Sequence, residues 1–155
     1  MKKQNIILAS DHAGFPLKEV IKTFLQEKGY TIDDLGAHKI VPDDDYPEYM
    51  VKAAMKIVED ASGSAKAIIF GWSGQGEAMV ANRFPRVRAA VWYGGAKGHE
   101  IIKLSREHND ANVLSIGAGF VTEAEAKTAV ELWLTTHFSN EERHVRRIAE
   151  IDSIE

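Results

Sequence analysis

The stretch Ile68-Ile69-Phe70-Gly71-Trp72-Ser73-Gly74-Gln75-Gly76-Glu77 joins a short apolar run to a glycine-rich turn that ends in a carboxylate. Such an apolar run predicts a buried strand, and residues 78–82 are typical of a helix. Glycines after a strand let backbone N–H groups converge on one point, and the start of a helix adds partial positive charge there. The stretch therefore predicts an anion site with Glu77 as a general base beside it, which suits removal of a proton from carbon.

Three better-known glycine loops do not fit this stretch. A P-loop requires a Gly-Lys-Ser/Thr ending, and there is no Lys or Arg between Gly71 and Asn82. The dinucleotide-binding pattern requires a glycine where Met79 stands, and the nucleophile elbow requires one where Gln75 stands. The remaining alternative is a tight strand-to-helix turn whose glycines serve packing alone.

Apolar runs alternate with helical patterns along the whole chain. Strands are predicted at residues 6–9, 30–35, 67–70, 88–93 and 112–116, and the apolar 89–91 run predicts a fourth strand that is buried on both faces. Capping boxes at residues 122–125 and 139–142 open the last two helices, the final one predicted over 139–154 with Val145, Ile148 and Ile151 facing the core. We therefore predict one domain over residues 1–155. Its fold is a three-layer, Rossmann-like α/β fold with a five-stranded parallel sheet and helices on both faces.

The composition fits a soluble globular protein of one domain. The chain has 155 residues, 45% of them hydrophobic and 27% charged, and no apolar span of transmembrane length. The net charge of −4 argues against a nucleic-acid partner. The absence of cysteine excludes disulfides and cysteine catalysis, and together with an N-terminal apolar run too short for a signal peptide it predicts a cytoplasmic protein.

Polar residues at strand ends and on the last helix are the other candidates. Asp11 and His12 follow the first strand, where Asp11 has the alternative role of capping the helix that opens near Pro16. Arg143 and Arg147 lie four apart with His144 beside them, which predicts a bound phosphate or carboxylate, the alternative being a solvated basic face. The segment 106–110 reads as a solvated loop when taken alone. There is no His, Asp and Glu set with metal-ligand spacing, and the 43–45 aspartate run also reads as a solvated loop, so no metal and no other cofactor is predicted.

Taken in order, these motifs resemble the sugar-phosphate isomerases of the ribose-5-phosphate isomerase B type, whose relatives include galactose-6-phosphate isomerase subunits. The matching segments cover essentially the whole chain. They are Ser10-Asp11-His12-Ala13-Gly14-Phe15-Pro16-Leu17-Lys18, Asp45-Tyr46-Pro47, Gly71-Trp72-Ser73-Gly74-Gln75-Gly76-Glu77, Ala81-Asn82-Arg83, Arg88-Ala89, Ser105-Arg106-Glu107-His108-Asn109-Asp110-Ala111-Asn112-Val113-Leu114 and Arg143-His144-Val145-Arg146-Arg147-Ile148.

The resemblance implies a metal-free aldose–ketose isomerisation of a sugar phosphate through a cis-enediolate. Ribose 5-phosphate and ribulose 5-phosphate are the expected pair. The alternatives are another tetrose, pentose or hexose phosphate, or a non-catalytic sugar-phosphate-binding subunit. It also implies a homodimer or dimer of dimers with shared active sites. In one branch of the family a cysteine at the strand exit is the base. Gly71 stands there in this chain, and Glu77 matches the glutamate that is the base in the other branch.

The resemblance also implies a role for each matching residue. Ser73 is expected to bond near the transferred proton, and the N–H groups from Gly74 through Gly76 to Glu77 to hold the enediolate oxygen. Asp11 and His108 are expected to open the furanose ring. The sugar contacts implied are Tyr46 and Asn109, and the phosphate ligands are His12, Arg143, His144 and Arg147.

Two departures from the family pattern bear on the substrate. Many members carry a phosphate-binding arginine after the fifth strand, where this chain has Gly119. The loop 93–98 also carries a few extra residues, and Lys97 or Arg146 is a candidate to replace the missing charge.

Overall fold

The computed structural model describes residues 4–154, which form one parallel sheet with helices on both faces. The elements are β1 (Asn5–Ser10), α1 (Phe15–Glu27), β2 (Thr31–Asp34), α2 (Tyr46–Glu59), β3 (Lys66–Gly71), α3 (Gln75–Ala81), β4 (Ala89–Trp92), α4 (Gly98–Glu107), β5 (Val113–Gly117), α5 (Glu123–Thr135) and α6 (Glu142–Asp152), with a short 3₁₀ turn at Ala118–Phe120. The strand order is β2-β1-β3-β5-β4, and every pairing is parallel. The predicted three-layer α/β fold is confirmed.

Two apolar clusters, one on each face of the sheet, hold the layers together. On one face Leu17, Ile21 and Leu25 of α1 pack with α5 and Ile102 of α4, because their four-residue spacing places them on one stripe of the helix. On the other face Met50 and its neighbours on α2 pack with α3 against the sheet. Each fully buried aliphatic side chain contributes about 1.5–3 kcal/mol relative to an exposed one. Of the described helices, none combines the length and hydrophobicity needed to cross a membrane.

The two predicted capping boxes have different outcomes. Thr122 accepts a hydrogen bond from the Glu125 N–H (3.2 Å), and a Glu125 carboxylate oxygen accepts one from the Thr122 N–H (2.7 Å), so the first box is confirmed. The second is wrong, because the last helix begins at Glu142 and has no side-chain cap. Asn140 has a φ of 57°, in the left-handed region, so a helix cannot run through it. The predicted helix 139–154 is therefore shortened to Glu142–Asp152.

The fourth strand lies at an edge of the sheet and is not enclosed on both sides. β4 has β5 as its only neighbour among the described strands, and Ala89, Ala90 and Val91 are half-buried within the single chain. The prediction of a strand buried on both faces was wrong for the single chain, because an apolar run reports low polarity and not how fully other elements cover the two faces of the sheet.

α6 lies beside this same edge of the domain and contacts it at few points. The Arg88 guanidinium pairs with Asp152 at 3.1 Å, and the His144 ring stacks on His108. Val145 and Ile151, predicted to face the core, are about half exposed. The strongly amphipathic sequence of α6 therefore leaves apolar side chains uncovered in the single chain.

Candidate active site

The glycine-rich loop connects β3 to α3 at the carboxyl edge of the sheet and is fixed by β5. Gly74 has a φ of 76°, which glycine adopts without strain, and it forms the N-cap of α3. The buried Ser115 hydroxyl donates a hydrogen bond of 2.7 Å to the Gly74 carbonyl oxygen. A Cβ at residue 74 would lie only 3.1 Å from the Gly117 nitrogen, so the loop backbone packs directly on β5.

The Glu77 side chain folds back from α3 onto the end of β3. It is only 4% exposed, and a Cβ placed on Gly71 would lie 1.7 Å from its Oε1 atom. The carboxylate therefore occupies the volume that any side chain at residue 71 would fill. Gly71 is outside the left-handed region, so the close approach of Glu77 and not the backbone conformation explains the glycine.

The surroundings of Glu77 favour its protonated form. Burial raises the pKa of the carboxyl group, and the negative charge of nearby Asp11 raises it further. The backbone N–H groups of Glu77 itself and of Gly74 act in the opposite direction. A carboxylate with a raised pKa is a stronger base, which suits proton abstraction near neutral pH. Two of the N–H groups predicted to hold a substrate oxygen thus act on the Glu77 carboxylate.

Asp11, His12 and Asp44 form a polar cluster next to this loop. Asp11 is buried and accepts a hydrogen bond of 3.0 Å from the Gly14 N–H. Gly14 is the N-cap of α1 and the helix has no side-chain cap, so the alternative that Asp11 caps this helix is wrong. The Nδ1 atom of His12 lies 2.5 Å from an Asp44 carboxylate oxygen, which also accepts a bond of 3.0 Å from the His12 N–H. The hydrogen bond to Asp44 raises the pKa of His12 and favours a cationic ring at the site.

The same three side chains bring their potential metal-ligand atoms within 4.8 Å of one another, a grouping that the sequence spacing did not reveal. Some of the potential ligand atoms already have partners, since the His12 Nδ1 atom bonds to Asp44 and one Asp11 carboxylate oxygen accepts a bond from the backbone.

Tyr46 and Ser73 lie at the same edge of the sheet. The Tyr46 hydroxyl packs against Gly76, where a Cβ would lie 2.5 Å from it. The Ser73 hydroxyl accepts a weak hydrogen bond of 3.3 Å from the Gln75 N–H within the loop. The structure thus brings one group of predicted residues together at the carboxyl edge: Asp11, His12, Tyr46, Ser73, Gly74, Gly76 and Glu77.

The other predicted residues lie elsewhere. His108 and Asn109 follow α4 and precede β5, so they belong to the amino edge of the sheet. The His144 ring stacks on His108 with centroids 4.2 Å apart and an interplanar angle of 17°. Arg143 and Arg147 are exposed on α6. β5 alone separates the two edges by roughly 13 Å, at about 3.3 Å per residue. The His108 group therefore does not meet Glu77 of its own chain.

His144 differs from the two arginines in exposure. It is only 4% exposed, and its Nε2 atom makes no hydrogen bond within residues 4–154. Burial lowers the pKa of His144, and the neighbouring His108 and Arg143 lower it further. The sequence predicted three cationic groups on one helix face, whereas the structure has two exposed arginines and a buried histidine that favours the neutral form.

Sequence analysis missed two residues that position the site. Asp44 was included in a run read as a solvated loop, and the sequence does not show which of three adjacent aspartates turns inward. Ser115 carried a detectable signal, because it is a polar residue in the middle of the buried strand Val113–Gly117. A buried hydroxyl requires a partner, and here the partner is the catalytic-loop candidate Gly74.

Fold and site together define an α/β enzyme whose site is built around a buried carboxylate at the carboxyl edge of a parallel sheet. Residues 6–151 match the family model described as Ribose/Galactose Isomerase. The chain belongs to that family.

Relatives with known names extend the match over nearly the full chain. The ribose-5-phosphate isomerase B of Mycolicibacterium paratuberculosis is 41% identical over 143 residues, which are 92% of this chain and 86% of that protein. The ribose-5-phosphate isomerase B of Mycobacterium tuberculosis is 38% identical over 148 residues, 96% of this chain and 88% of the relative.

Solved structures give the same result. The ribose-5-phosphate isomerase B of Mycoplasma genitalium, crystallised with bound ribulose-5-phosphate, superposes with a TM-score of 0.90 at 34% identity, covering 98% of this chain and 96% of that one. The Clostridium thermocellum enzyme superposes with a TM-score of 0.86 at 35% identity, covering 96% of this chain and 95% of that one.

Proposed function

We propose that this protein interconverts ribose 5-phosphate and ribulose 5-phosphate through a cis-enediolate, with Glu77 as the base. The observation that supports this most strongly is the Glu77 carboxylate, which is buried against Gly71 and has a raised pKa. A chain of this family with such a base beside a glycine loop is suited to moving a proton between two neighbouring carbons.

In the proposed reaction Glu77 takes the proton from C2 of the open-chain aldose, and the electron pair forms the C1–C2 double bond of the enediolate. Returning the proton to C1 completes the ketose, while a second proton moves between the two oxygens. Ser73 forms a hydrogen bond to the substrate near the transferred proton. The loop N–H groups that do not bond to the Glu77 carboxylate stabilise the oxyanion. Asp11 and His108 open the furanose ring by moving hydroxyl protons.

A second copy of the chain completes this site in our proposal. Glu77 and Asp11 lie at the carboxyl edge, whereas His108, Asn109 and the α6 arginines lie at or beside the amino edge. Two copies that place these edges together form a homodimer, or a dimer of dimers, with shared sites. The half-exposed β4 edge and the uncovered apolar side chains of α6, Val145 and Ile151, are the surfaces available for this contact.

Substrate is held at both ends in this arrangement. Tyr46 and Asn109 contact the sugar hydroxyls, and His12, Arg143 and Arg147 bind the phosphate. The cationic form of His12, favoured by Asp44, suits an anionic ligand. The family resemblance also implies a phosphate contact for His144. Since it is buried beneath the His108 ring, its contact with phosphate requires that the stack open, and we propose that it mainly orients His108.

A substrate panel tests the proposed function. The purified chain is assayed with ribose 5-phosphate, erythrose 4-phosphate, allose 6-phosphate and galactose 6-phosphate, and Glu77→Gln serves as the control for a contaminating isomerase. We expect the highest kcat/KM with ribose 5-phosphate. A higher value for another sugar phosphate would identify that sugar as the substrate. Binding without turnover of any would instead identify a non-catalytic subunit.

The absence of a metal requirement and a cytoplasmic location belong to the same proposal. Both fit a chain without cysteine thiolates, and the backbone N–H groups provide oxyanion stabilisation without a Lewis acid. Dialysis against a strong chelator should leave kcat unchanged. Loss of activity that Mn²⁺ or Zn²⁺ restores would point to the Asp11–His12–Asp44 cluster as a metal site.

A further inference from the structure

Trp72 is an exposed indole fixed at the rim of the candidate active site. It directly follows Gly71, the residue against which the Glu77 carboxylate packs. Trp72 is 63% exposed. The Trp72 carbonyl oxygen accepts a hydrogen bond of 2.9 Å from the Gly119 N–H, which ties the start of the glycine loop to the turn after β5. The residue is therefore held in place although solvent reaches most of it.

The indole fills the volume that a side chain at residue 119 would occupy. A Cβ placed on Gly119 would lie 2.5 Å from the Cδ2 and Cε2 atoms of Trp72. Gly119 does not have a positive φ, so its backbone conformation does not require glycine. The glycine is explained by the indole, which means that residues 72 and 119 compete for one space beside the site.

Two further aromatic residues continue this surface. The Phe120 ring lies 6.3 Å from the Trp72 ring and 6.2 Å from the Tyr93 ring, measured between centroids, and both contacts are tilted or edge-on. All three residues are more than half exposed. Tyr93 also borders the catalytic loop, because Gly117 lies between the Tyr93 Cβ atom and the Ser73 carbonyl. Trp72, Tyr93 and Phe120 form what we name the aromatic rim.

We propose that Trp72 contacts the bound sugar phosphate and is a specificity-determining residue, the aromatic rim forming one wall of the pocket. This inference rests on the proposed function. An aromatic face packs well against the C–H groups of a sugar, and an indole at this place limits the length of sugar that the pocket accepts. The wall also excludes a cationic side chain at residue 119, so the selectivity at this end comes from shape and apolar contact.

Tryptophan fluorescence tests the contact directly. The chain has three tryptophans, all in the described region, and Trp92 and Trp133 are buried. Acrylamide quenching of the native protein therefore reports Trp72. We expect saturable protection from quenching on adding ribitol 5-phosphate, a ligand without a carbonyl group that cannot isomerise, with a midpoint equal to its inhibition constant. Trp72→Phe should remove the ligand-dependent signal.

Kinetics provide the second measurement. An aromatic contact contributes about 0.5–1.5 kcal/mol, so Trp72→Gly should raise KM for ribose 5-phosphate by about 2–13-fold with kcat little changed. Trp72→Phe should recover part of the loss. The ratio of kcat/KM for allose 6-phosphate to that for ribose 5-phosphate should rise about tenfold in Trp72→Gly, on the scale of a pocket enlarged by more than one methylene. Met55→Ala, which shortens an exposed apolar side chain on α2, is the matched control and should change none of these values.

The competition for space has its own test. Gly119→Ala in the native background should displace the indole and increase its quenching, whereas the same change in the Trp72→Gly background should be tolerated. The inference is overturned if saturating ribitol 5-phosphate inhibits the enzyme but does not protect Trp72 from acrylamide quenching. It is also overturned if Trp72→Gly does not change the selectivity between allose 6-phosphate and ribose 5-phosphate. Either result leaves the proposed function intact. If the Trp72 indole is shielded from acrylamide in the ligand-free oligomer and becomes exposed only when dilution separates the monomers, the inference is overturned. Trp72 would then belong to a subunit contact. Failure of the proposed function would appear separately, as absence of ribose 5-phosphate turnover in the unaltered protein.

Discussion

Gly71→Ala adds one methyl group at the point where the Glu77 carboxylate lies, and its consequence follows from the geometry. The new Cβ would lie 1.7 Å from Oε1 and 2.1 Å from Cδ of Glu77. Nonbonded contacts are comfortable near 3.5 Å, so the carboxylate must retreat by about 1.8 Å. Residue 71 has an ordinary strand conformation, and the end of a glutamate side chain moves easily. The domain should therefore fold, and the displacement falls on the base.

A displacement of this size is large for a reacting group. Misplacement by about 1 Å costs on the order of 10²-fold in rate, so we expect kcat to fall by about 10²-fold or more while KM changes little. Removing the base with Glu77→Gln costs about 10²–10⁴-fold. The double variant should be no slower than Glu77→Gln alone, because both substitutions remove the same function.

The assay is steady-state conversion of ribose 5-phosphate to ribulose 5-phosphate, with thermal melts recorded for each variant. Ile69→Val is the matched control. It lies on the same strand, is buried, and should cost about 0.5–1.5 kcal/mol of stability without moving Glu77. A Gly71→Ala enzyme with near-native kcat would refute the placement of the base against Gly71. An equal loss in Ile69→Val would attribute the effect to stability.

Three further predictions follow from the charges at the site. Because the folded-state pKa of Glu77 is raised above the unfolded value, its ionisation costs stability. Glu77→Gln should therefore match the native protein in urea melts below about pH 4.3 and exceed it increasingly as the pH rises through the raised pKa; equal stabilities at pH 8 would contradict the burial argument. Asp44→Asn removes the main cause of the raised pKa of His12, so KM for ribose 5-phosphate should be near the native value below about pH 6.5 and rise above it as the pH increases; a loss independent of pH would mean that Asp44 acts on structure alone. Arg143→Ala should weaken binding of ribose 5-phosphate by about 1.5–3 kcal/mol and leave binding of ribose unchanged, measured by calorimetry with Lys52→Ala as the control; equal losses for both sugars would assign Arg143 to the fold or the dimer.

The fold was predictable from the sequence because its signals are local. Short apolar runs alternate with amphipathic helical patterns, and the capping box at Thr122 marks a helix start by itself. The errors arose where local signals compete with tertiary contacts. A serine followed by Glu142 three residues later resembles a capping box, but the left-handed Asn140 prevents the helix from forming there. The order of strands, which placed β4 at an edge, depends on contacts that no single segment encodes.

Only part of the candidate site could be predicted from the sequence, and its arrangement could not. The glycine loop and Glu77 are contiguous in sequence, so their proximity could be inferred. That the carboxylate folds back onto Gly71, or that the indole of Trp72 covers Gly119, depends on side-chain directions across two strands. The inward turn of Asp44 and the stacking of His144 on His108 likewise depend on loops and helices that meet only in the folded chain.

The central claim is that Glu77 carries a proton between C1 and C2 of ribose 5-phosphate. Its most direct test is isomerisation by the purified native protein in D₂O. Proton NMR spectra of the product are recorded after the reaction has reached equilibrium. We predict that ribulose 5-phosphate forms with deuterium bound to carbon at C1, and that Glu77→Gln gives neither product nor deuterium. Product without deuterium on carbon would mean that the buried Glu77 returns the proton before it exchanges with solvent. Undiminished turnover by Glu77→Gln, with or without deuterium in the product, would contradict the account.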